Sequence, residues 1–258
     1  MKQHYFISGF PRAGSTVLAA ILKQNPRFYA GMTSNLFNLC ALIAKNSDIE
    51  TGVQKLTYEQ SRNVITKVIE GYHLDKKEEV IFDTNRGWVN FAGALRNLLP
   101  NTKIICCVRD LPSIINSYET HYQNKCITVP SYHSPNKHVV DIAYNRINTL
   151  FDTQIIPTYD NCKYYYESGA FNDMLIFVDY DVLIARPVEC MKDLYERLGQ
   201  EYFEHDFDNV EASFDDVDSV YQNHELHKVT GKLEKKNTKW VVPYNVKEIY
   251  DRPCFWRN

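Results

Sequence analysis

Short apolar runs alternate along the chain with longer stretches of helical period. Four runs, His4–Ser8, Val80–Thr84, Lys103–Val108 and Met174–Asp179, are mostly apolar at successive positions, so each is expected to be buried on both faces. Strands of that kind belong to parallel sheets covered by helices. Between them, Ser15–Gln24 reads as a helix stopped by Asn25-Pro26, and Tyr58–Tyr72 carries an apolar stripe at Val64, Ile65, Val68 and Ile69. Gly87–Leu99 ends at Pro100, Pro112–Tyr122 opens with proline, and Pro187–Leu198 opens with proline and stops at Gly199. Strands alternating with helices predict an α/β fold, a three-layer sandwich around a central parallel sheet. From Ser131 to Gly169 the pattern weakens: Val139–Phe151 still reads as helix, while Tyr164 to Tyr166 gains no element.

Composition narrows the class. The 258 residues are 44% hydrophobic and 24% charged, which excludes a disordered or fibrous chain. A chain of this size buries roughly 70–75% of its unfolded surface and needs no staples. No repeat or low-complexity linker divides it, so one domain is expected over 1–258. The polar stretch 202–258 carries Asp206, Asp208, Asp215 and Asp216, then Lys228, Lys232, Lys235, Lys236 and Lys239. It reads as an ordered arm, with a solvated charge run as the alternative. A net charge of −3 argues against a nucleic-acid surface, so any anion site must be local. Seven cysteines, an odd number without a C-x-x-C pair, point to a reducing compartment and to neither a metal cage nor a disulfide framework. No apolar run approaches ~18 residues and the opening residues do not form a signal peptide. No membrane span and a cytoplasmic location are therefore expected. The oligomeric state is left open.

The strongest local chemistry follows the first run. Gly9-Phe-Pro-Arg12-Ala13-Gly14-Ser15-Thr16 is a strand, a Gly-rich turn and a helix start, with the G-x-x-x-x-G spacing of a phosphate-binding loop. Such a loop aims successive backbone N–H groups at phosphate oxygens, and the following helix adds partial positive charge at its N-terminus. Ser15 and Thr16 place hydroxyls where they either cap that helix or meet the anion. Nucleotide kinases carry Lys after the second Gly, whereas here the position is Ser15 and the cation is Arg12, inside the loop. A planar guanidinium suits a short anionic group bound through two parallel hydrogen bonds.

Gly9 to Leu18 resembles the 5′-phosphosulfate loop of sulfotransferases that use 3′-phosphoadenosine-5′-phosphosulfate (PAPS). Its pattern is nearest the G-x-P-R-S-G-T-T-L form of tyrosylprotein sulfotransferases and their bacterial relatives. The segment Ile104 to Ser117, a strand ending in Arg109-Asp110 with Ser117 eight residues after the Arg, resembles the family's 3′-phosphate motif. Arg109 then stands at a strand's carboxyl end, where ligands gather in open α/β sheets. Phe177 to Pro187, through Tyr180-Asp-Val-Leu, resembles the family's Y-E-D-L-x-x-x-P strand-to-helix segment. There Tyr180 either approaches the nucleotide or is a core aromatic. Thr238-Lys239-Trp240 with Pro243 resembles an S-K-W-x-x-x-x-P close in which Lys reaches the cofactor phosphates. The resemblance implies a P-loop nucleotide-kinase-like sulfotransferase fold whose arm, 202–258, covers the cofactor. It implies PAPS contacts from Arg12, Ala13, Gly14, Ser15, Thr16, Arg109, Ser117, Tyr180 and Lys239, with no metal.

The implied reaction is in-line displacement at sulfur, releasing the bisphosphate PAP, with positioning and charge stabilisation supplying the catalysis. The family's second cation is a Lys after the second strand, and here Arg86 is the candidate, able to stabilise charge but not to give up a proton. The tyrosylprotein branch carries Glu as base after the first helix. Gly31 is followed instead by Met32-Thr33-Ser34. Asp83, His121 and His133 are the remaining base candidates, and the acceptor is a carbohydrate, a lipid or a small alcohol rather than peptidyl tyrosine. Two rival readings remain: a P-loop kinase or NTPase with Asp83 holding Mg-nucleotide, and a PAP-binding module that has lost catalysis.

Overall fold

A strand that is apolar on both faces is stable only between two covering layers, and the chain builds that arrangement. The computed structural model describes residues 2–47, 56–124, 143–212, 229, 231–235 and 239–257. His133, Cys126, Thr238, Asp215, Asp216, Lys228 and Lys236 lie outside the described residues. Five parallel strands, β1 (Gln3–Gly9), β2 (Phe28–Ala30), β3 (Val80–Thr84), β4 (Ile104–Val108) and β5 (Leu175–Asp179), stand in the order β2-β3-β1-β4-β5. Helices flank the sheet: α1 (Ser15–Leu22), α2 (Leu36–Ser47), α3 (Tyr58–Tyr72), α4 (Ala92–Leu98), α5 (Leu111–Asn124), α6 (Ala143–Leu150), α7 (Ile156–Ser168), α8 (Tyr180–Ala185), α9 (Pro187–Leu198) and α10 (Tyr244–Tyr250). The fold is the expected α/β sandwich around a parallel sheet. Phe6, Ile7, Ile81, Phe82, Ile104 and Ile105 are fully buried at its centre.

Helix boundaries follow local chemistry. Thr57 and Gln60 form a reciprocal capping box at the start of α3, and Gly199 ends α9 in left-handed backbone at φ 66°. The expected helix Gly87–Leu99 divides in two. Asn85 accepts from Gly87 N at 2.9 Å and starts a 3₁₀ segment, Arg86–Phe91, before α4. The expected helix Val139–Phe151 begins, among the described residues, at Ala143, and Phe151 opens a π-helical turn, Phe151–Ile155, that leads into α7. Tyr164 to Tyr166 lie in α7, where Tyr165 packs on Phe171 and Tyr166 on Phe177.

Register decides where the loops emerge. Ile7 pairs with Thr84, Gly9 with Cys107 and Val108 with Asp179. The segments starting at Phe10, Asn85, Arg109 and Tyr180 therefore leave one edge of the sheet together. From β1 the chain builds β2 and β3 on one side, and β4 and β5 complete the other, so the carboxyl ends of β1 and β4 flank the point where strand order reverses. The six cysteines among the described residues are free thiols, four of them buried. No helix among the described residues is long and apolar enough to cross a membrane.

Candidate active site

The loop after β1 is held open by its backbone. Gly9 has φ 104°, and any Cβ there would run into the Cys107 carbonyl. Phe10 N donates to that same carbonyl at 2.8 Å. Arg12 follows in left-handed backbone at φ 57°, an unusual conformation for a residue with a Cβ, and Gly14 takes φ 90° at the N-cap of α1. Ala13, between them, is buried. No side chain caps α1, so Ser15 and Thr16 do not take the capping role open to them. Among the described residues no side chain accepts from the first amides of the helix, at its positive end. Gly14 has a second reason to lack a side chain: a Cβ would lie 2.7 Å from Cδ2 of Tyr180. The Tyr180 ring thus covers the loop, and its other neighbour is Arg109, whose guanidinium carbon lies 4.3 Å from the ring centroid.

Three guanidiniums converge over this edge. Arg12 Nε donates to Ser117 Oγ at 3.1 Å, which ties the loop to α5. Arg109 Nη1 points at the Arg12 carbonyl at 3.5 Å, while its buried Nε has no acceptor among the described residues. Arg86 Nη1 donates to Gln154 Oε1 at 3.1 Å and approaches Tyr118 Oη at 3.4 Å. Desolvation by the surrounding groups lowers the Arg12 pKa, an effect tempered by the residue's exposure to solvent. Tyr118 opposes that shift, and the like charges of Arg109 and Arg86 add to it. Arg27, Arg96, Arg146, Arg197 and Arg257 each reach a carboxylate. Among the described residues Arg12, Arg86 and Arg109 reach none; Arg62, Arg186 and Arg252 also form no ion pair, so what marks the first three is that they converge on one another at this edge.

Arg12, Gly14, Arg109, Ser117 and Tyr180 are brought into one cluster, and Arg86 stands beside it through Tyr118. Lys239 is exposed. Its carbonyl accepts from Asn116 Nδ2 at 3.2 Å, and Val241 N donates to Asn116 Oδ1 at 2.8 Å, so residues 239–241 are fastened to α5 next to Ser117. Asp83 is a correction. Its carboxylate does not reach the cleft: the residue is 1% exposed, Oδ2 lies 2.9 Å from His73 Nε2 and Oδ1 accepts from Trp88 Nε1 at 2.7 Å. With both oxygens committed under the sheet edge it is placed neither as a base for an acceptor nor as a magnesium ligand. His121 stands one helical turn beyond Ser117 on α5. At the position of the absent Glu, Thr33 is at φ 40°, and the next residue is pinned by Ser34 N to the Thr84 carbonyl and by Asn85 Nδ2 to the Ser34 carbonyl. Sequence reading missed Asn116, Tyr118 and Gln154. A polar residue at the centre of a helix, Asn116, was the available signal for the first. Nothing in the pattern marked Gln154, which enters through the π-helical turn.

No curated protein matches the sequence significantly. The structure is similar to several solved ones at low identity. The sulfotransferase from Alicyclobacillus acidocaldarius shares 14% identity at TM-score 0.52, over 80% of this chain and 85% of that one. The sulfotransferase domain of the Synechococcus PCC 7002 olefin synthase shares 16% at 0.50, over 79% and 75%. A sulfotransferase of Mycobacterium tuberculosis H37Rv shares 14% at 0.50, over 86% and 76%. These likenesses establish the fold. Residues 5–204, which hold the loop after β1, Arg86, Arg109, Ser117 and Tyr180, match the sulfotransferase family model, and the chain belongs to that family.

Proposed function

We propose that the protein moves a sulfuryl group from PAPS to an acceptor hydroxyl or amine and releases PAP. The observation that carries this reading is the set of three guanidiniums, without a carboxylate partner among the described residues, gathered where four strands end. A polyanion with negative charge at two separated points fits such a set, and the buried Arg109 Nε without an acceptor fits a phosphate oxygen. In this reading the amides of Gly14, Ser15 and Thr16 with Arg12 hold the 5′-phosphosulfate, and Arg109 with Ser117 holds the 3′-phosphate. Tyr180 orients Arg109, and Lys239 adds a cation from the arm, which belongs to the same single domain. Arg86 faces the acceptor side and stabilises charge on the transferring group. His121 is the proton acceptor we assign among the described residues. Guanidiniums and amides supply the positive charge, with no metal in the step. The polar neighbours of Arg86, Tyr118 and Gln154, favour a hydroxylated acceptor such as a carbohydrate or small alcohol. Free, buried thiols accord with a reducing, cytoplasmic setting.

The test is thermal stabilisation by PAP against Mg-ADP, followed by Arg109→Ala. A ligand at about 100 times its dissociation constant adds roughly 2.7 kcal/mol to folding stability. PAP should do so and Mg-ADP should not, and Arg109→Ala should lose most of the gain. An unchanged PAP shift in that variant overturns the 3′-phosphate assignment, and stabilisation by Mg-ADP alone returns the kinase reading.

A further inference from the structure

The segment Phe255–Arg257 touches the candidate site from behind, at two places. Asp179, the last residue of β5, lies beside the end of β4 and immediately precedes Tyr180. Its Oδ1 accepts from Asp181 N at 2.8 Å and so caps α8. Its Oδ2 accepts from Trp256 Nε1 at 2.7 Å and from Arg257 Nε at 2.5 Å, while Arg257 Nη2 reaches Asp179 Oδ1 at 3.1 Å and Asp181 Oδ2 at 3.0 Å. The Trp256 ring meets Phe10 edge-on at 5.5 Å. Phe10 is the buried residue between Gly9 and Pro11 in the strained loop. Phe255 anchors the segment against Tyr159, Tyr166 and Phe177.

Arg12, a residue with a Cβ held at φ 57°, persists in that conformation only where its surroundings over-determine it. The cap on α8 likewise fixes where Tyr180 begins, and Tyr180 in turn sits between Gly14 and Arg109. We propose that Trp256 and Arg257 are positioning residues of the phosphate cradle: Trp256 braces the loop through Phe10, and both residues hold the Tyr180–Arg109 stack through Asp179. Trp256 Nε1 and Arg257 Nε and Nη2 are directed at Asp179 and Asp181, so in this proposal the two residues act through those carboxylates and not on the ligand. This rests on the reading of the cleft as a PAPS site, and goes beyond it by naming what keeps the cleft in shape.

The experiment uses the full chain with Arg257→Ala, Arg257→Lys and Trp256→Phe. The dissociation constant of PAP is measured by calorimetry, and amide hydrogen exchange is followed over residues 9–16 without ligand. In Arg257→Ala PAP should bind roughly tenfold more weakly, the size of one lost charge-assisted contact, and exchange in the loop should speed up. Arg257→Lys should restore part of the affinity, because the charge remains while the fork is lost. Trp256→Phe keeps a smaller aromatic ring against Phe10 and loses the N–H, so it should fall between the two. A melting temperature that drops while PAP affinity and loop exchange stay at wild-type values marks a plain structural pin and overturns the proposal. Faster loop exchange in a protein whose wild type does not bind PAP sustains the bracing and overturns the PAPS reading instead.

Discussion

Asp83 and Arg86 are neighbours in sequence, yet the groups around them follow opposite rules. The Asp83 carboxylate is buried with both oxygens occupied, by Trp88 Nε1 and by His73. Arg86, with Arg12 and Arg109, holds its charge among hydroxyls, amides and a carbonyl, and no carboxylate among the described residues answers it. A satisfied buried network adds to stability and leaves little for a ligand to do. Like charges held together without counterions oppose folding, so they persist where an anion is to be bound. Both clusters are polar and both lie near strand ends. Counting which donors and charges are already answered separates the one that supports the fold from the one suited to chemistry.

The largest effect should come from Arg12→Gly. The left-handed backbone costs a residue with a Cβ about 1 kcal/mol, and Gly removes that cost along with one of three like charges. Stability without ligand should therefore rise by about 1 kcal/mol in a denaturant titration. Sulfuryl transfer should fall about 10²–10³-fold, the usual loss when a preorganised charge stabiliser is removed. A variant that is more stable and still turns over normally would take Arg12 out of the mechanism.

Asp83→Ala should do the reverse. It strands Trp88 Nε1 and His73 in the core, so stability should drop by about 2–4 kcal/mol. PAP affinity of the folded protein, measured by calorimetry below the unfolding range, should be unchanged. Weaker PAP binding at unchanged stability would put Asp83 back in the site.

The same contrast explains what was legible in the sequence. The loop from Gly9 to Thr16 was readable because its geometry demands particular residues in consecutive positions. Arg109 and Ser117 were readable because one strand and the next helix carry both. The strands were visible as runs buried on both faces, except β2, whose three residues are too few to show a pattern. Helix α2 was missed because Leu39 and Leu42 face solvent and blur its apolar stripe. Asp83 was misassigned because a carboxylate at a strand end looks the same in sequence whether it opens to a cleft or turns inward. Only the partners, His73 from the end of α3 and Trp88 from the 3₁₀ segment, decide that, and neither is marked by spacing.

A smaller and pH-dependent effect belongs to His205. Burial lowers its pKa to about 4, against 6.5 ordinarily, and its Nε2 lies 3.1 Å from Tyr195 Oη. Between those values the unfolded chain binds the proton and the folded protein does not. The contribution is therefore intact above pH 6.5 and is lost as pH falls towards 4, by about 3 kcal/mol at most. Burial, then the nearby His73, also lowers the His4 pKa, so some acid sensitivity of the same sign remains without His205. Urea titrations from pH 7 to 4 should show a shallower decline for His205→Gln than for wild type. Parallel declines would mean that this imidazole takes up its proton in the folded state as readily as in the unfolded one.

The smallest effect is expected where a guanidinium is already answered. Arg27 Nε lies 2.9 Å from Glu79 Oε2, with the two side chains 47% and 70% exposed. Exposed pairs of this kind contribute about 0–1 kcal/mol, and salt screens most of it. The carbonyl of Arg27 accepts from Glu79 N at 3.1 Å and Val80 N at 3.2 Å, and both bonds survive truncation of the side chain. Arg27→Ala should therefore lower stability by less than about 1 kcal/mol, by less still in high salt, and leave PAP binding intact. Set beside Arg109→Ala, it removes a guanidinium that has a carboxylate and that stands at the amino end of the sheet, before β2, away from the edge where Arg109 follows β4. If Arg27→Ala weakened PAP binding as much as Arg109→Ala does, the absence of a carboxylate partner would have no bearing on which arginines serve the ligand.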